Sequence, residues 1–563
     1  MTDETLLGWT KEPAAGSDRN ARSAAAPSVR LSAFVVFYRL LADYSSARTV
    51  AAAGLTMLVG AAYAGLLYGL ARLLAFDRTP QDEFFLGQVL LAAIVLYNVL
   101  ARVQASVMSR LDQDAVAAFF LRLAQAVTAT RFATLEGIGP SVVLEAFLTD
   151  RQSVADGLVI AVRLLRGAST VVACIALMAL LQPLIGLLLA SAFLLGMRRS
   201  PRPARSLEKT SKLANQAEAR YRRVIDDLLH GLEGIKLNAG RRSEILSSCR
   251  RALERQGQGM LFARVRSRIL LRPIVLAGYA VLALIAFVLS DVLVRHQLLA
   301  GVLIIAAIVN LEIEMARDSE DLLRHRTHLE GLMRIGQALA SGGAPPAFAL
   351  PANIETICFV QAERQYRLRD GFRLGPVSLT LRRGEITFIV GGNGSGKTTF
   401  IRLLAGLDDP TAGEVLLDGM AYSAPARALL FTAVFNDFHL FDEVHGLDPA
   451  ASEQFAATLA RLSLDRVTRL DGEKIVATQL SSGQRRRLAL AVALSKPRPF
   501  VLFDEWTADQ DPEFRAYFYD ELLPRLRDEG RGVVAVTHDD RYFDRCDQRV
   551  VFEEGRIAAL VRP

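Results

Sequence analysis

Cysteine is scarce in this chain: four in 563 residues, at Cys174, Cys249, Cys358 and Cys546. They stand too far apart to form a metal-ligand spacing, so a zinc or iron–sulfur fold is set aside and reduced, structural thiols are expected. Residues 1–30 carry charges of both signs but lack an apolar run, which excludes a secretory signal and reads as a mobile tail. Charge of one sign is also limited. The formal net charge is +7, and the basic residues gather beside apolar segments, which argues for a membrane neighbour and against nucleic acid. What is abundant is aliphatic surface: hydrophobic residues make up 51% of the chain. That is too much for an ordinary soluble enzyme of this length.

A helix crosses a bilayer with about 20 mostly apolar residues. Runs of this kind occupy 49–75, 84–103, 157–181, 183–197, 270–290 and 298–312. Six spans are expected, the third and fourth joined by almost no loop, and the fourth and sixth short enough to borrow residues from their flanks. The 76–83 loop holds one Arg against three acids, whereas 198–260 carries fifteen Lys and Arg against seven Asp and Glu. Positive loops stay in the cytoplasm. The N-terminus, 104–156, 198–260 and everything after 313 are therefore expected inside. The two long inner segments have helical patterns broken near their middles, by Gly137, Gly139 and Pro140 in one and by Gly231 and Gly234 in the other. A short transverse helix is expected at 141–149 and at 224–236, with an ordinary loop as the alternative.

Beyond a linker at 341–350, short strands alternate with helices, the pattern of an α/β domain. The apolar run 386–390 delivers GGNGSGKTT at 391–399, which matches G-x-x-x-x-G-K-[ST]. Gly391, Asn393, Gly394, Ser395 and Gly396 form a loop whose backbone N–H groups can close around phosphates, with Thr399 in the helix that follows. Lys397 would reach the β- and γ-phosphates of a nucleoside triphosphate, and Thr398 would offer its hydroxyl to Mg²⁺. About a hundred residues later the apolar run 500–503 ends in Asp504 and Glu505. Asp504 can hold Mg²⁺, and Glu505 can polarise an attacking water as general base.

Between these motifs lies LSSGQ at 480–484, followed by Arg485, Arg486 and Arg487. Here the chain resembles the ABC-transporter superfamily. The resemblance implies that Ser481, Ser482, Gly483 and Gln484 open a helix facing the γ-phosphate bound on another subunit, with Ser482 replacing the usual glycine. It also makes Asp511 the D-loop acid and His538 the switch histidine, catalytic together with Glu505. Tyr366 would stack on adenine, with Phe372 as competitor, and Asn436 would stand at the Q-loop metal position with a shorter reach than glutamine. The motifs at 391–399 and 438–441, DEWTADQDP at 504–512 and THDD at 537–540 are similar to the cyclic-peptide and siderophore-peptide exporter branch. Trp506 in place of proline is a trait of that branch.

The resemblance implies an α-helical six-span membrane domain of the ABC exporter type followed by an α/β P-loop ATPase domain, with a tail at 1–30, spans within 31–340 and the ATPase at 351–563. It implies a homodimer in the bacterial cytoplasmic membrane, surrounded by lipids, both termini cytoplasmic, exporting a peptide-like metabolite by alternating access. A lipid or multidrug exporter stays open, as does a membrane-anchored ATPase that regulates a partner without transport. Import is set aside because the two domains are fused and no binding-protein domain accompanies them. Asn98, Arg163, Arg166 and Asn310 are the candidate polar cargo contacts. Helix–helix hydrogen bonding is the alternative for each, and snorkelling to the headgroups is favoured for the two arginines.

Overall fold

The computed structural model describes residues 29–73, 80–191, 220–258, 295–341, 354–365, 372–444, 449–477 and 480–562, less single positions 184, 188, 239 and 497, together with the single residues 217, 261 and 265. The chain divides into two units, one of residues 1–128 and 138–341, the other of 129–137 and 342–563.

The first unit is helical. Helices α1 (Val29–Leu73) and α2 (Pro80–Ala129) are far longer than a bilayer requires. The apolar residues Phe34 to Phe37 start α1 well before the expected 49, and Ser45, at φ −159° and ψ 99°, kinks it. Thr49 Oγ1 donates to the freed Ser45 carbonyl at 2.8 Å. Among the described residues, three stretches have the length and apolarity of a membrane span: Phe34–Leu73, Phe84–Ala129 and Pro140–Leu181. The expected sixth span lies inside the helix Arg295–Ser341. The fourth lies partly, and the fifth wholly, outside the described residues. Small residues permit the tight packing: a Cβ on Gly60 would stand 2.9 Å from the Thr170 backbone nitrogen. Val171, Cys174, Met178, Ile304, Ile305 and Ile308 form the core between helices. All four cysteines are free.

The break near residue 139 separates α3 (Phe132–Ile138) from α4 (Pro140–Glu145), which continues through a π-turn at Ala146–Asp150 into α5 (Arg151–Leu181). The expected transverse helix at 141–149 is thus the foot of the third span, and the separate short helix lies on the other side of the break. Proline suits the first turn of a helix, where its missing N–H is not needed. Gly139, at φ 92°, turns the chain just before it, so the Gly-Pro pair opens the long helix. In the second inner segment, a turn at Gly231 separates helical residues 220–230 from Leu232–Leu237.

The second unit contains a four-stranded sheet, in the order β2 (Arg373–Arg382), β1 (Thr356–Gln365), β4 (Ala412–Leu417), β5 (Met420–Ala421). Its main sheet runs β12 (Arg556–Val561), β11 (Gln548–Glu553), β3 (Ile386–Gly391), β10 (Gly532–Val536), β9 (Phe500–Asp504), β6 (Phe431–Val434). All neighbours in it are parallel except β12 on β11. Parallel strands covered on both faces read as continuous apolar runs, and every residue of β9 and β10 is buried. A small hairpin, β7 (Thr468–Asp471) and β8 (Lys474–Ala477), stands apart.

Candidate nucleotide site

Ligands of parallel α/β sheets bind at the carboxyl ends of the strands, and here three of those ends are level. Val536 on β10 pairs with Ile389 on β3 and with Asp504 on β9. The loop after β3, the carboxylates after β9 and the histidine after β10 therefore converge.

The loop leads into α6 (Lys397–Leu404), capped by Gly396 at φ 104°. Gly391 and Gly394 also have positive φ. Asn393, Gly394 and Thr398 are exposed, Thr399 is half-buried, and Ser395 is buried with no partner for its hydroxyl. Lys397 curls back, its Nζ donating to the Gly391 and Gly392 carbonyls at 2.9 and 3.0 Å. Burial pushes its pKa down, against the pull of the Glu505 and Asp504 carboxylates. An open helix N-terminus, an unsatisfied buried hydroxyl and a half-desolvated ammonium together suit a polyphosphate.

Asp504 is 6% exposed. Burial pushes its carboxyl pKa up, opposed first by the Asn436 backbone N–H. A buried carboxylate at the strand end and an exposed threonine hydroxyl at the head of α6 are hard oxygens of the kind that Mg²⁺ takes. Glu505 adopts the left-handed conformation, φ 51° and ψ 39°, which for a non-glycine residue costs on the order of 1–3 kcal/mol and clusters at functional sites. Its Oε1 lies 3.1 Å from His538 Nε2.

The signature segment opens α7 (Ser482–Leu494). Ser481 Oγ accepts from the Gln484 N–H at 3.2 Å, and Gln484 Oε1 accepts from the Ser481 N–H at 3.0 Å. This capping box satisfies two orphan donors of the helix end, so both side chains close their own helix. Gly483 is buried, and its carbonyl accepts from Gln510 Nε2. Asp511 caps α8 (Pro512–Tyr517) through the Phe514 N–H, which holds its carboxyl below the usual range, and pairs with Arg487 at 2.8 Å. Asn436 turns its amide oxygen to Arg486 Nη2 at 2.6 Å. Tyr366 lies outside the described residues. Its competitor Phe372 stands at the loop, with its Cζ 3.2 Å from a Cβ built on Gly396.

Three groupings escaped the sequence reading. Arg486 is 8% exposed and faces inward, although it sits in a run of three arginines that reads as a solvated face. Asp539, beside His538, accepts from Thr507 Oγ1 at 2.8 Å and from Tyr519 Oη at 3.0 Å. Glu136 on α3 receives Arg402 Nη1 at 3.0 and 3.2 Å, while Arg131 lies 3.5 Å from Asp409. No local pattern links positions so distant in sequence.

In the helical unit, the candidate cargo residues are differently disposed. Asn98 and Asn310 each donate to a carbonyl of their own helix, at 2.9 and 3.0 Å. Arg163 is held by both oxygens of Asp318 at 3.1 and 2.8 Å, so it is an interhelical ion pair. Arg166 lines a cavity of about 560 Å³ together with Gln104, Asp112, Gln152 and Arg163.

The sequence profile described as ABC transporter matches residues 374–508. The chain is 42% identical over 200 residues to the ATP-binding protein SyrD of Pseudomonas syringae pv. syringae, covering 34% of this chain and 35% of that one. It is 36% identical over 244 residues to the mycobactin import ATP-binding/permease protein IrtB of Mycolicibacterium smegmatis, covering 40% and 41%. These matches span little more than a third of either relative. Against the glutamine transport ATP-binding protein GlnQ of Escherichia coli (strain K12) the identity is 32% over 197 residues, 32% of this chain and 82% of that one. A solved bacterial Atm1-family ABC exporter with ATP bound superimposes with a TM-score of 0.73 over 92% of this chain and 95% of that one, at 18% identity. The exporter fold, a helical membrane domain followed by an ABC ATPase domain, is thereby shared.

Proposed function

Because the chain belongs to the ABC transporter family, we propose that it is an ATP-driven exporter of a peptide-like metabolite, working as a homodimer in the bacterial cytoplasmic membrane with both termini inside. The observation that carries this reading is the Glu505–His538 pair, 3.1 Å apart at level strand ends, in the unit that also holds the Lys397 loop. A regulator that binds nucleotide without hydrolysis has no use for a base and a switch histidine.

Lys397, Ser395 and the loop amides bind the triphosphate; Thr398 and Asp504 would hold Mg²⁺, whose charge would neutralise the phosphate oxygens, while the amide oxygen of Asn436 is taken by Arg486. Glu505 takes the proton of the attacking water, and His538 fixes the orientation of that carboxylate. Ser481, Ser482, Gly483 and Gln484 present a helix N-terminus to the nucleotide on the second copy, since one loop and one signature per chain require two chains. Closure around ATP favours one orientation of the membrane cavity and hydrolysis resets it.

The cargo reading draws on the motif resemblance and on the printed name of IrtB, which concerns mycobactin. That name also joins permease, ATP-binding and import in one protein, so domain fusion alone does not set import aside. The cavity near Arg166 and Asp112 offers both charges beside apolar helix faces, suited to an amphipathic peptide. The test is deletion of the gene in its host, with everted membrane vesicles and purified protein assayed alongside. Intracellular accumulation of a peptide metabolite, with ATPase stimulation by that metabolite, supports the reading. Stimulation by lipids alone, or uptake directed inward, overturns it.

A further inference from the structure

Arg486 spreads one buried guanidinium over three parts of the nucleotide unit. Nη2 donates to Asn436 Oδ1 at 2.6 Å, Nη1 donates to the Glu505 carbonyl at 2.8 Å, and Nε faces Asp509 at 2.9 Å. Its own backbone carbonyl accepts from Trp506 Nε1 at 3.2 Å. Trp506 is 1% exposed and stacks on Phe518 with centroids 4.8 Å apart, so the tryptophan that replaces the expected proline anchors α7 to the end of β9.

We propose that Arg486 is a positioning residue for ATP hydrolysis: it holds Glu505 in its left-handed conformation and fixes Asn436, so that the general base and the metal-side loop move with the signature helix as one body. The inference rests on the hydrolytic reading of the site given above. Its physical basis is strain. A glutamate at φ 51° relaxes unless its surroundings over-determine it, and the hydrogen bond to its carbonyl is charge-assisted and nearly dry. Asn436 is one methylene short of the reach that glutamine would give, and its amide oxygen is occupied by Arg486, so its placement depends on the arginine. The fork geometry matters because only a planar guanidinium serves three acceptors in fixed directions; lysine serves as a point charge.

Removing the guanidinium strands no buried charge. Asp509 is 46% exposed and Asn436 is exposed, so both recover water, and Arg486→Met is expected to fold. The experiment uses the full chain in lipid nanodiscs, comparing wild type with Arg486→Met, Arg486→Lys, Asn436→Ala and the Arg486→Met/Asn436→Ala pair. Magnesium-ATPase kinetics, equilibrium binding of a fluorescent ATP analogue and melting temperature are measured for each. Misplacement of a reacting group by an ångström costs about 10²-fold. The expected result is a kcat loss of that order for Arg486→Met with KM, nucleotide binding and melting retained, an intermediate loss for Arg486→Lys, and a double variant no slower than Arg486→Met. If Arg486→Lys matches wild type, if the losses in kcat are matched by equal losses in binding and melting, or if the double variant multiplies the single effects, the clamp is overturned. Should the methionine variant fail to fold, the lysine variant decides by the same comparison. An inactive wild type would instead remove the hydrolytic reading itself.

Discussion

Gly391 offers a sharp test of the phosphate loop's architecture. It is the last residue of β3, paired with Phe552 on β11, and its φ is 150°. A Cβ there would lie 2.3 Å from the Phe552 carbonyl oxygen and 2.7 Å from Ser395 Oγ. The serine hydroxyl can rotate away. The carbonyl cannot, because Phe552 is 1% exposed and its ring sits 5.1 Å from that of Phe400 in the core. Gly391→Ala therefore combines a backbone conformation that disfavours side chains, about 1–3 kcal/mol, with overpacking of about 1–3 kcal/mol. For a unit of about 200 residues, each kcal/mol moves the melting point by roughly 2–4 °C, so a fall of about 4–24 °C is expected. Gly392 is the internal control, since nothing lies within 4 Å of its added Cβ; an alanine there should leave melting within about 2 °C, as for an unconstrained surface change. The assay is thermal loss of nucleotide binding in the purified full chain. Equal melting of the two variants, in either direction, would refute the steric reasoning.

Glu505→Gln should retain ATP binding while kcat falls by about 10²–10⁴-fold, the range of a general base; steady-state phosphate release at the wild-type rate removes Glu505 from that role. Mixing Lys397→Ala chains with Ser481→Arg chains should restore partial ATPase that neither shows alone, because one mixed site in a dimer is intact; a fully active monomer in sedimentation sinks the dimer. Reversing one partner of the Arg402–Glu136 pair, as Glu136→Arg, should weaken the stimulation of ATPase by cargo while basal turnover persists, and the exchange Glu136→Arg with Arg402→Glu should recover it. No recovery in the exchange means that the ion pair is not what holds the helix Phe132–Ile138 in its place. Asp511→Ala removes a helix N-cap, at a cost of about 1 kcal/mol. Since its carboxyl is held below the usual range, that contribution is full above the ordinary aspartate pKa and fades as pH falls through the lower folded value. The melting difference from wild type should shrink accordingly in acid.

Much of the site was legible because its parts are contiguous motifs at strand ends: the 391–399 loop, Asp504–Glu505 and His538 each follow an apolar run that can only be a buried strand. The first three spans were legible as hydropathy, but not the start of the first, since residues 34–37 are apolar yet separated from 49–75 by polar Ser45 and Ser46, and only the structure reveals a kinked helix there. The short helix expected at 141–149 is instead the foot of a longer one, because a Gly-Pro break marks a boundary without saying which side carries a separate helix. Arg486 was illegible for a different reason. Three successive arginines point in directions about 100° apart on a helix, and nothing local says which of them meets the core. The capping box at Ser481 and Gln484 was readable from S-x-x-Q spacing.

All but the last residue of the helix Phe132–Ile138 belongs to the nucleotide unit, although it is made with the first half of the chain. Glu136 and its partner Arg402 are 266 positions apart. At a synthesis rate of about 5–20 residues per second, the helix waits roughly 13–53 s before its dock leaves the ribosome. Throughout that interval its fold is incomplete while the flanking spans already have a bilayer to enter. The nucleotide unit is consequently a late assembly of two chain segments made at different times. A fragment beginning at residue 342 would be born without one of its own helices, with Arg402 and Asp409 facing water in its place.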